Sequence, residues 1–262
     1  MTALGGARAS VVTVYSWAGG TGRTQTVASL GVLLATRGLR VGLLDTNLAA
    51  PGLHAVFGLS PAAEQLSLAD YLFRGSEVET VGYDVTWAVG RTGSAGALLS
   101  LIPGWICGAD ELVYAVARHL DLGLLADGID RLARLCGLDV LLIDTQNGVN
   151  GSAIVALLAA DLQLLLVTGS AGEHEGLTTL GPVVAEPAHA LLVASATARA
   201  AATLQQIRGI PVAAALPYAP ELQRFRQALP FVRAHPQHPL TGELNALADR
   251  IQHRAQAARA SA

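Results

Sequence analysis

Short apolar runs of strand length alternate along this chain with stretches in which apolar residues recur every three or four positions. Val11-Val-Thr-Val-Tyr15 is a β-branched run that breaks at the glycine-rich Ala18-Gly-Gly-Thr-Gly22. Val27, Leu30, Leu33 and Leu34 then predict a helix over Thr24–Arg37, with Gly38 placed to stop it. Val41-Gly-Leu-Leu-Asp45 reads as a buried parallel strand ending in a carboxylate, so strand, loop, helix and strand make a βαβ unit. Further strands are predicted at Val81–Val89, Ala97–Ile102, Leu138–Asp144, Leu162–Thr168, Ala190–Ser195 and Pro211–Leu216. Further helices are predicted at Leu66–Phe73, Asp110–Leu120, Leu122–Cys136, Gly176–Val184, Ala200–Ile207 and Leu240–Arg254, the last with Leu244, Leu247 and Ile251 on one face. Trp87 and Trp105 read as packing residues. With neither an internal repeat nor a low-complexity linker, residues 1–262 are expected to form a single doubly wound α/β domain with a mostly parallel sheet.

Composition narrows this picture. At 262 residues, 52% of them hydrophobic and 14% charged, the chain is long enough for one large core. All 17 basic residues are Arg and the net charge is −3, which speaks against broad nucleic-acid binding. Cys107 and Cys136 lack zinc or redox spacing and read as buried thiols in a reducing compartment. The N-terminus lacks the build of a signal peptide, and the apolar runs are too short or too broken to span a bilayer, so a soluble cytoplasmic protein is expected. The C-terminal Gln256-Ala-Ala-Arg-Ala-Ser-Ala262 lacks the bulky apolar face and charge density of a direct membrane anchor.

The candidate chemistry gathers at the glycine-rich loop. A strand that turns through glycines into a helix aims several backbone N–H groups and the positive end of the helix dipole at one point, a ready site for phosphate. The ordinary phosphate-loop pattern is G-x-x-x-x-G-K-[ST]; here Trp17 replaces the first glycine and Arg23 the lysine, while Gly22 and Thr24 are in place. Ala18-Gly-Gly-Thr-Gly-Arg-Thr24 resembles the deviant Walker A loop, K-G-G-x-G-K-[ST], of the MinD/ParA family of P-loop ATPases. Asp45-Thr-Asn-Leu-Ala-Ala-Pro-Gly-Leu53 is similar to that family's switch I, D-x-D-x-x-x-P-x-L, with Asp45, Pro51 and Leu53 in register and Asn47 replacing the second aspartate. Asp144-Thr-Gln-Asn-Gly148 is similar to its switch II, D-x-x-x-G, Asp144 being the Walker B-type carboxylate and Gly148 the γ-phosphate sensor. By themselves Asp45 and Asp144 could be strand-end carboxylates, and Gln146 and Asn147 either amides near a γ-phosphate or turn formers.

The resemblance implies ATP or ADP with Mg²⁺ at the carboxyl edge of the sheet. It implies that Gly19, Gly20, Thr21, Gly22, Arg23, Thr24 and Gln25 hold the phosphates and Pro217 the base, where Ser195–Thr197 replace the family's Asn. Thr24 would ligate Mg²⁺, and Asp45 and Asp144 would hold it through water. Arg23 can stand in for lysine, since a guanidinium grips phosphate. Ala18 cannot replace the signature lysine, nor Asn47 a water-orienting carboxylate. The family works as nucleotide-dependent dimers that position or assemble cellular machinery through a protein partner. The chain is thus expected to be such a switch with slow or impaired hydrolysis, or a pseudo-ATPase scaffold working through protein contacts. Glu173-His174-Glu175 reads as charge at a helix start, and His235 and His238 as a surface turn, rather than metal ligands.

Overall fold

The computed structural model describes residues 7–62, 65–106, 120–186, 189–195, 206–224 and 229–260. Among these, nine strands form one sheet: β1 (Ser10–Ser16), β2 (Arg40–Asp45), β3 (Tyr83–Asp84), β4 (Leu98–Ile102), β5 (Val140–Asp144), β6 (Leu162–Val167), β7 (Ala190–Ser195), β8 (Gln206–Ile207) and β9 (Ile210–Leu216). Their order is β3-β4-β2-β5-β1-β6-β7-β9-β8. The seven inner strands run parallel, and the two-residue strands β3 and β8 close the edges antiparallel. This is the mostly parallel α/β sheet that the alternating pattern predicts. The chain leaves central β1 toward β2 on one side and later fills the other side with β6, so the loop after β1 opens at the switch point where ligands bind in such sheets.

Successive side chains of the buried strands feed opposite faces. Val12, Val14, Leu43, Leu142 and Leu164 pack on one face against α1 (Arg23–Thr36) and, at its far side, α8 (Phe231–Ala234) and α9 (Pro239–Ala260). Val11, Leu44, Leu141 and Ile143 pack on the other against α3 (Leu68–Arg74), α4 (Leu122–Leu135) and α5 (Gly151–Ala159). Tyr15, Leu165 and Leu192 extend that second face toward α6 (Ala171–Thr179). Two further short helices, α2 (Leu53–Val56) and α7 (Glu221–Arg224), sit on loops. The terminal helix buries Leu240, Leu244, Leu247, Ala248, Ile251 and Ala255, the stripe expected from its 3.6-residue spacing.

Four elements differ from the pattern's expectation. Val81–Val89 is not a continuous strand: the Asp84 carboxylate accepts from Thr86 N at 2.8 Å and turns the chain into a 3₁₀ segment. There the Thr86 hydroxyl takes the place of a ladder carbonyl for Leu99 N (2.9 Å). Trp87 is consequently turned outward and 53% exposed, whereas Trp105 is buried between His54 and Tyr83, as a packing residue should be. The helix placed at Gly176–Val184 begins earlier, at Ala171, because the Glu173 carboxylate accepts from Thr168 N (2.7 Å), Thr168 Oγ1 (2.9 Å) and Ser170 N (3.2 Å) and fixes the start. Gln206 and Ile207, placed at the end of a helix, instead pair with Pro211 and Ile210 across Arg208-Gly209, both residues at positive φ. Helix α5 has no counterpart in the periodicity: its run is apolar on every side, and its signal is the Asn150 cap, whose Oδ1 accepts from Ala153 N at 2.9 Å. The expected Asp110–Leu120 helix, apart from Leu120, lies outside the described residues, as do Cys107 and the rest of Ala200–Ile207.

Gln163 ties these layers together from within β6. It is 2% exposed, donates from Nε2 to Leu157 O (2.9 Å) and Val183 O (3.0 Å), and accepts at Oε1 from Ala185 N (2.9 Å). Gln163→Leu leaves the half-buried Val183 O and Ala185 N without this partner, while Leu157 O keeps the Ala160 N–H, and is expected to cost about 1–3 kcal/mol, the range for an unmet polar group with partial relaxation. Urea unfolding measures this; a change below about 0.5 kcal/mol, the range of an ordinary surface substitution, would mean the clamp is dispensable.

Candidate functional site

The loop between β1 and α1 is built to receive an anion. Gly20 (φ 73°) and Gly22 (φ 89°) hold left-handed backbone that a side chain would resist, and they wrap the chain around a hollow of about 290 Å³ lined by Gly20, Thr21, Gly22, Arg23, Thr24 and Gln25. Gly22 caps α1 without any side-chain hydrogen bond, and no acidic residue lies in the first turn. The first N–H groups of the helix therefore face the hollow uncompensated.

Beside it, parallel pairing of β2 with β5 sets Asp45 directly against Asp144. Both carboxylates are buried, at 0% and 1% exposure. Asp45 is held by the backbone that follows β2: Oδ2 accepts from Gly52 N (2.9 Å) and Leu53 N (3.1 Å), Oδ1 from Asn47 N (3.1 Å). Pro51 leads into that pair of donors. Asp144 Oδ2 accepts from Thr24 Oγ1 at 2.6 Å, and its Oδ1 has no hydrogen-bond partner among the described residues. Burial pushes the Asp45 carboxyl up to about 6 against the pull of those N–H groups and of Arg23. Burial, then repulsion from Asp45, pushes Asp144 up to about 7 against the Thr24 bond and Arg23.

Among the described residues, the cation that moderates both carboxylates is Arg23. Its side chain is 10% exposed, with Nε 3.9 Å from Asp144 Oδ1. Nη1 donates to Ser16 Oγ and, at 3.4 Å, to Ala18 O. Burial lowers the Arg23 pKa, and Asp144 partly restores it. Two buried carboxylates, an orphaned carboxylate oxygen and a hydroxyl facing one arginine are a hard-oxygen set with unspent negative charge. Among the described residues no three His, Cys, Asp or Glu form a cluster, so they build no all-protein cage. The Thr24 hydroxyl and the two carboxylates beside the anion hollow are a donor set that suits Mg²⁺, which is held by one or two carboxylates together with phosphates and water.

The other expected positions also converge here. Ala18 lies at the loop's entry, its carbonyl accepting from Ser16 Oγ (2.7 Å). The Asn47 amide is spent on its own turn, donating to Ala50 O (2.7 Å) and accepting from Ala50 N (3.3 Å). Gly148 (φ 70°) donates to Ser16 O at 3.3 Å, and Asn147 lies 4.0 Å from where a Cβ on Gly19 would be. The first N–H groups of α1 continue into a second cavity, about 210 Å³, walled by Leu216, Pro217, Tyr218, Phe231, Leu240 and Leu244 and by Thr21, Gln25 and Ser29. Pro217 thus lines an apolar space next to the phosphate hollow. His235 and His238 stand behind Phe231 with ring centres 4.5 and 5.2 Å away, and Glu173 caps α6; none reaches the site. Of the Ser195–Thr197 segment, Ala196 and Thr197 lie outside the described residues.

Several contributors escaped the sequence. Ser16 receives the Arg23 guanidinium, and Gly104 backs the switch, a Cβ there falling 2.6 Å from Asp45 O. Trp17, in place of a motif glycine, lays its indole on Gly176, where a Cβ would come within 2.1 Å of the ring. Phe231, Leu240 and Leu244 come from helices some 200 residues beyond the loop. Of these, Trp17 and Leu244 left a trace, the one as the replacement of a motif glycine and the other on the apolar stripe of the terminal helix.

No family model and no curated protein matches the sequence. Solved structures do match the fold. The cell-division ATPase MinD of Pyrococcus furiosus superposes with a TM-score of 0.73 at 22% identity, over 93% of this chain and 98% of that one. The septum site-determining protein MinD of Pyrococcus horikoshii, complexed with Mg-ADP, gives 0.74 at 21% over 95% and 98%. A ParA family ATPase from Chlorobium tepidum gives 0.69 at 15% over 91% and 98%. The chain has the fold of the MinD and ParA ATPases.

Proposed function

We propose that this chain is a nucleotide switch of the MinD/ParA type, binding ATP or ADP with Mg²⁺ and hydrolysing ATP slowly if at all. It would act as a homodimer with a protein partner in positioning or assembling cellular machinery. The observation that carries this is the convergence, at one sheet edge, of an anion hollow, the Thr24–Asp144–Asp45 oxygen set and an apolar cavity. The horikoshii MinD complexed with Mg-ADP supports the ligand class. No helix among the described residues is long and apolar enough to cross a membrane.

In this reading the N–H groups from Gly20 to Thr24 hold phosphate oxygens, and Arg23 neutralises them from beneath the loop. Thr24 and the two aspartates position Mg²⁺, which when bound supplies charge neutralisation across the phosphates. Switch I is held by Asp45 and switch II by the Gly148 N–H, so displacing either contact couples occupancy to backbone movement. The scaffold alternative draws on Ala18 and on Asn47, whose amide is committed to its own turn.

Calorimetry on nucleotide-free protein tests the binding. ATP with Mg²⁺ is expected to release heat and to raise the unfolding temperature, since a ligand of the folded state must stabilise it. Neither effect appearing would sink the proposal. Arg23→Ala should weaken ATP by about 10- to 100-fold, the range for losing a hydrogen bond to a charged group, and Arg23→Lys should keep most of the affinity. Wild-type affinity in Arg23→Ala would mean the guanidinium serves only Ser16 and Ala18.

A further inference from the structure

The cavity beside the phosphate hollow carries two buried oxygens that have no partner among the described residues, Thr21 Oγ1 and Gln25 Oε1. We propose that the Gln25 amide oxygen is the base-reading group of the site, accepting from the exocyclic amine of an adenine. This rests on the nucleotide-binding reading and deepens it, since it names the residue that selects the base.

Gly22, Gln25 and Ser29 are three and four residues apart, so one face of α1 forms a wall of the cavity. Gln25 also lines the phosphate hollow. Its side chain therefore stands at the junction of the two spaces, where a nucleotide whose phosphates lie on the helix N-terminus must turn its base inward. Leu216, Ala219, Phe231, Leu240 and Leu244 make the rest of the wall apolar. In such surroundings an acceptor without a donor is costly, and a ligand that brings an N–H to it is selected. A base presenting a carbonyl there meets an acceptor and is accommodated only by turning the amide over so that Nε2 donates in its place. Thr21, 3% exposed, has a hydroxyl that can donate or accept, so it contributes hydrogen bonding without distinguishing the two. Pro217 and the half-exposed Tyr218 supply flat surfaces at the cavity mouth.

The test compares ATP with inosine triphosphate, in which a carbonyl replaces the 6-amino group, by calorimetry in Mg²⁺ on wild type and Gln25→Leu. Pyrophosphate serves as a probe that has no base. Wild type is expected to favour ATP by about tenfold or more, the scale of one buried hydrogen bond made or missed. Gln25→Leu should bring that ratio near unity, whatever it does to pyrophosphate affinity, which reports on the phosphate hollow that Gln25 also lines. Equal binding of both nucleotides by wild type, or a preference that survives Gln25→Leu, would each overturn the assignment. Gln25→Ala repeats the comparison should Gln25→Leu not melt cooperatively. Failure of wild type to bind ATP at all overturns the nucleotide-binding reading itself and is distinguishable, because no base preference can then be measured.

Discussion

Saturated with ATP and Mg²⁺, the isolated wild-type chain is expected to release phosphate at a rate near the limit of detection, and Ala18→Lys combined with Asn47→Asp to raise that rate on the order of 10²-fold or more. Phosphoryl transfer is catalysed mainly by positioning and by charge that meets the transition state, and one added cation there can be worth about 10³–10⁵ in rate. The Arg23 guanidinium is anchored below the loop by Ser16, Ala18 and Asp144, and Ala18 offers only a methyl group. Asn47 closes the turn to Ala50 with both ends of its amide and, being neutral, offers attacking water no carboxylate. Asp at this position keeps an acceptor for Ala50 N, loses the bond to Ala50 O and turns its second oxygen, repelled by that carbonyl, away toward water. A phosphate-release assay reads the outcome, with Asp144→Ala as a control that should abolish any gain. Brisk turnover by wild type that Asp144→Ala removes would refute impaired hydrolysis; turnover that survives it would refute the site.

The nucleotide-free protein is expected to lose stability steeply as pH rises from about 4 to about 8. The two strand-end carboxyls have native pKa values pushed to about 6 for Asp45 and about 7 for Asp144, from an ordinary 3.8. Raised native values mean that between pH 4 and 7 the folded chain binds more protons than the unfolded one, so stability is greatest below the unfolded value and falls until both groups are ionised. At about 1.4 kcal/mol per unit, the loss is on the order of a few kcal/mol once the pair's relaxation is allowed for. Urea unfolding at pH 5 and pH 8 measures it. Asp144→Asn should flatten the dependence, because an amide keeps the shape and removes both a titrating group and its repulsion of Asp45. ATP with Mg²⁺ should flatten it too, by giving the ionised pair a counter-charge. A wild-type profile that is level or rises over this range would show that the carboxylates are better compensated than Arg23 and the switch backbone allow.

Both expectations start from residues legible in the sequence, because phosphate loops and strand-end carboxylates leave local patterns. Glycines at Gly20 and Gly22, an apolar run ending at Asp45 and another at Asp144 each declare a backbone shape or a strand edge within a few residues. Their meeting follows from β2 pairing with β5, which parallel topology makes near-inevitable but which no single segment states. What is illegible depends on distance or on context. Phe231 and Leu244 look like any core residues until α9 lies along α1, and nothing local says that Ser16 receives a guanidinium. Short elements are the hardest to read. The Val81–Val89 run has the right composition for a strand, but Asp84 and Thr86 use their side chains to satisfy the backbone in another way. The two-residue β8 hairpin and the uniformly apolar α5 carry too little periodicity to declare themselves.

The indole of Trp17, resting on Gly176 at the loop's entry, has an optical consequence. The chain has three tryptophans, and the structure sorts them by solvent: Trp105 is shielded, Trp87 lies open to solvent, and Trp17 is intermediate on the segment next to Ala18 and Gly19. Soluble quenchers such as iodide extinguish Trp87 first, leaving an emission band in which Trp17 is the component set beside the phosphate hollow. A polyphosphate that moves the loop is expected to change the packing of that ring and so to shift the wavelength and lifetime of its light. The residue that replaced a motif glycine is thereby a built-in dye, and stopped-flow fluorescence on the unlabelled protein is expected to report whether the loop moves when ATP is added.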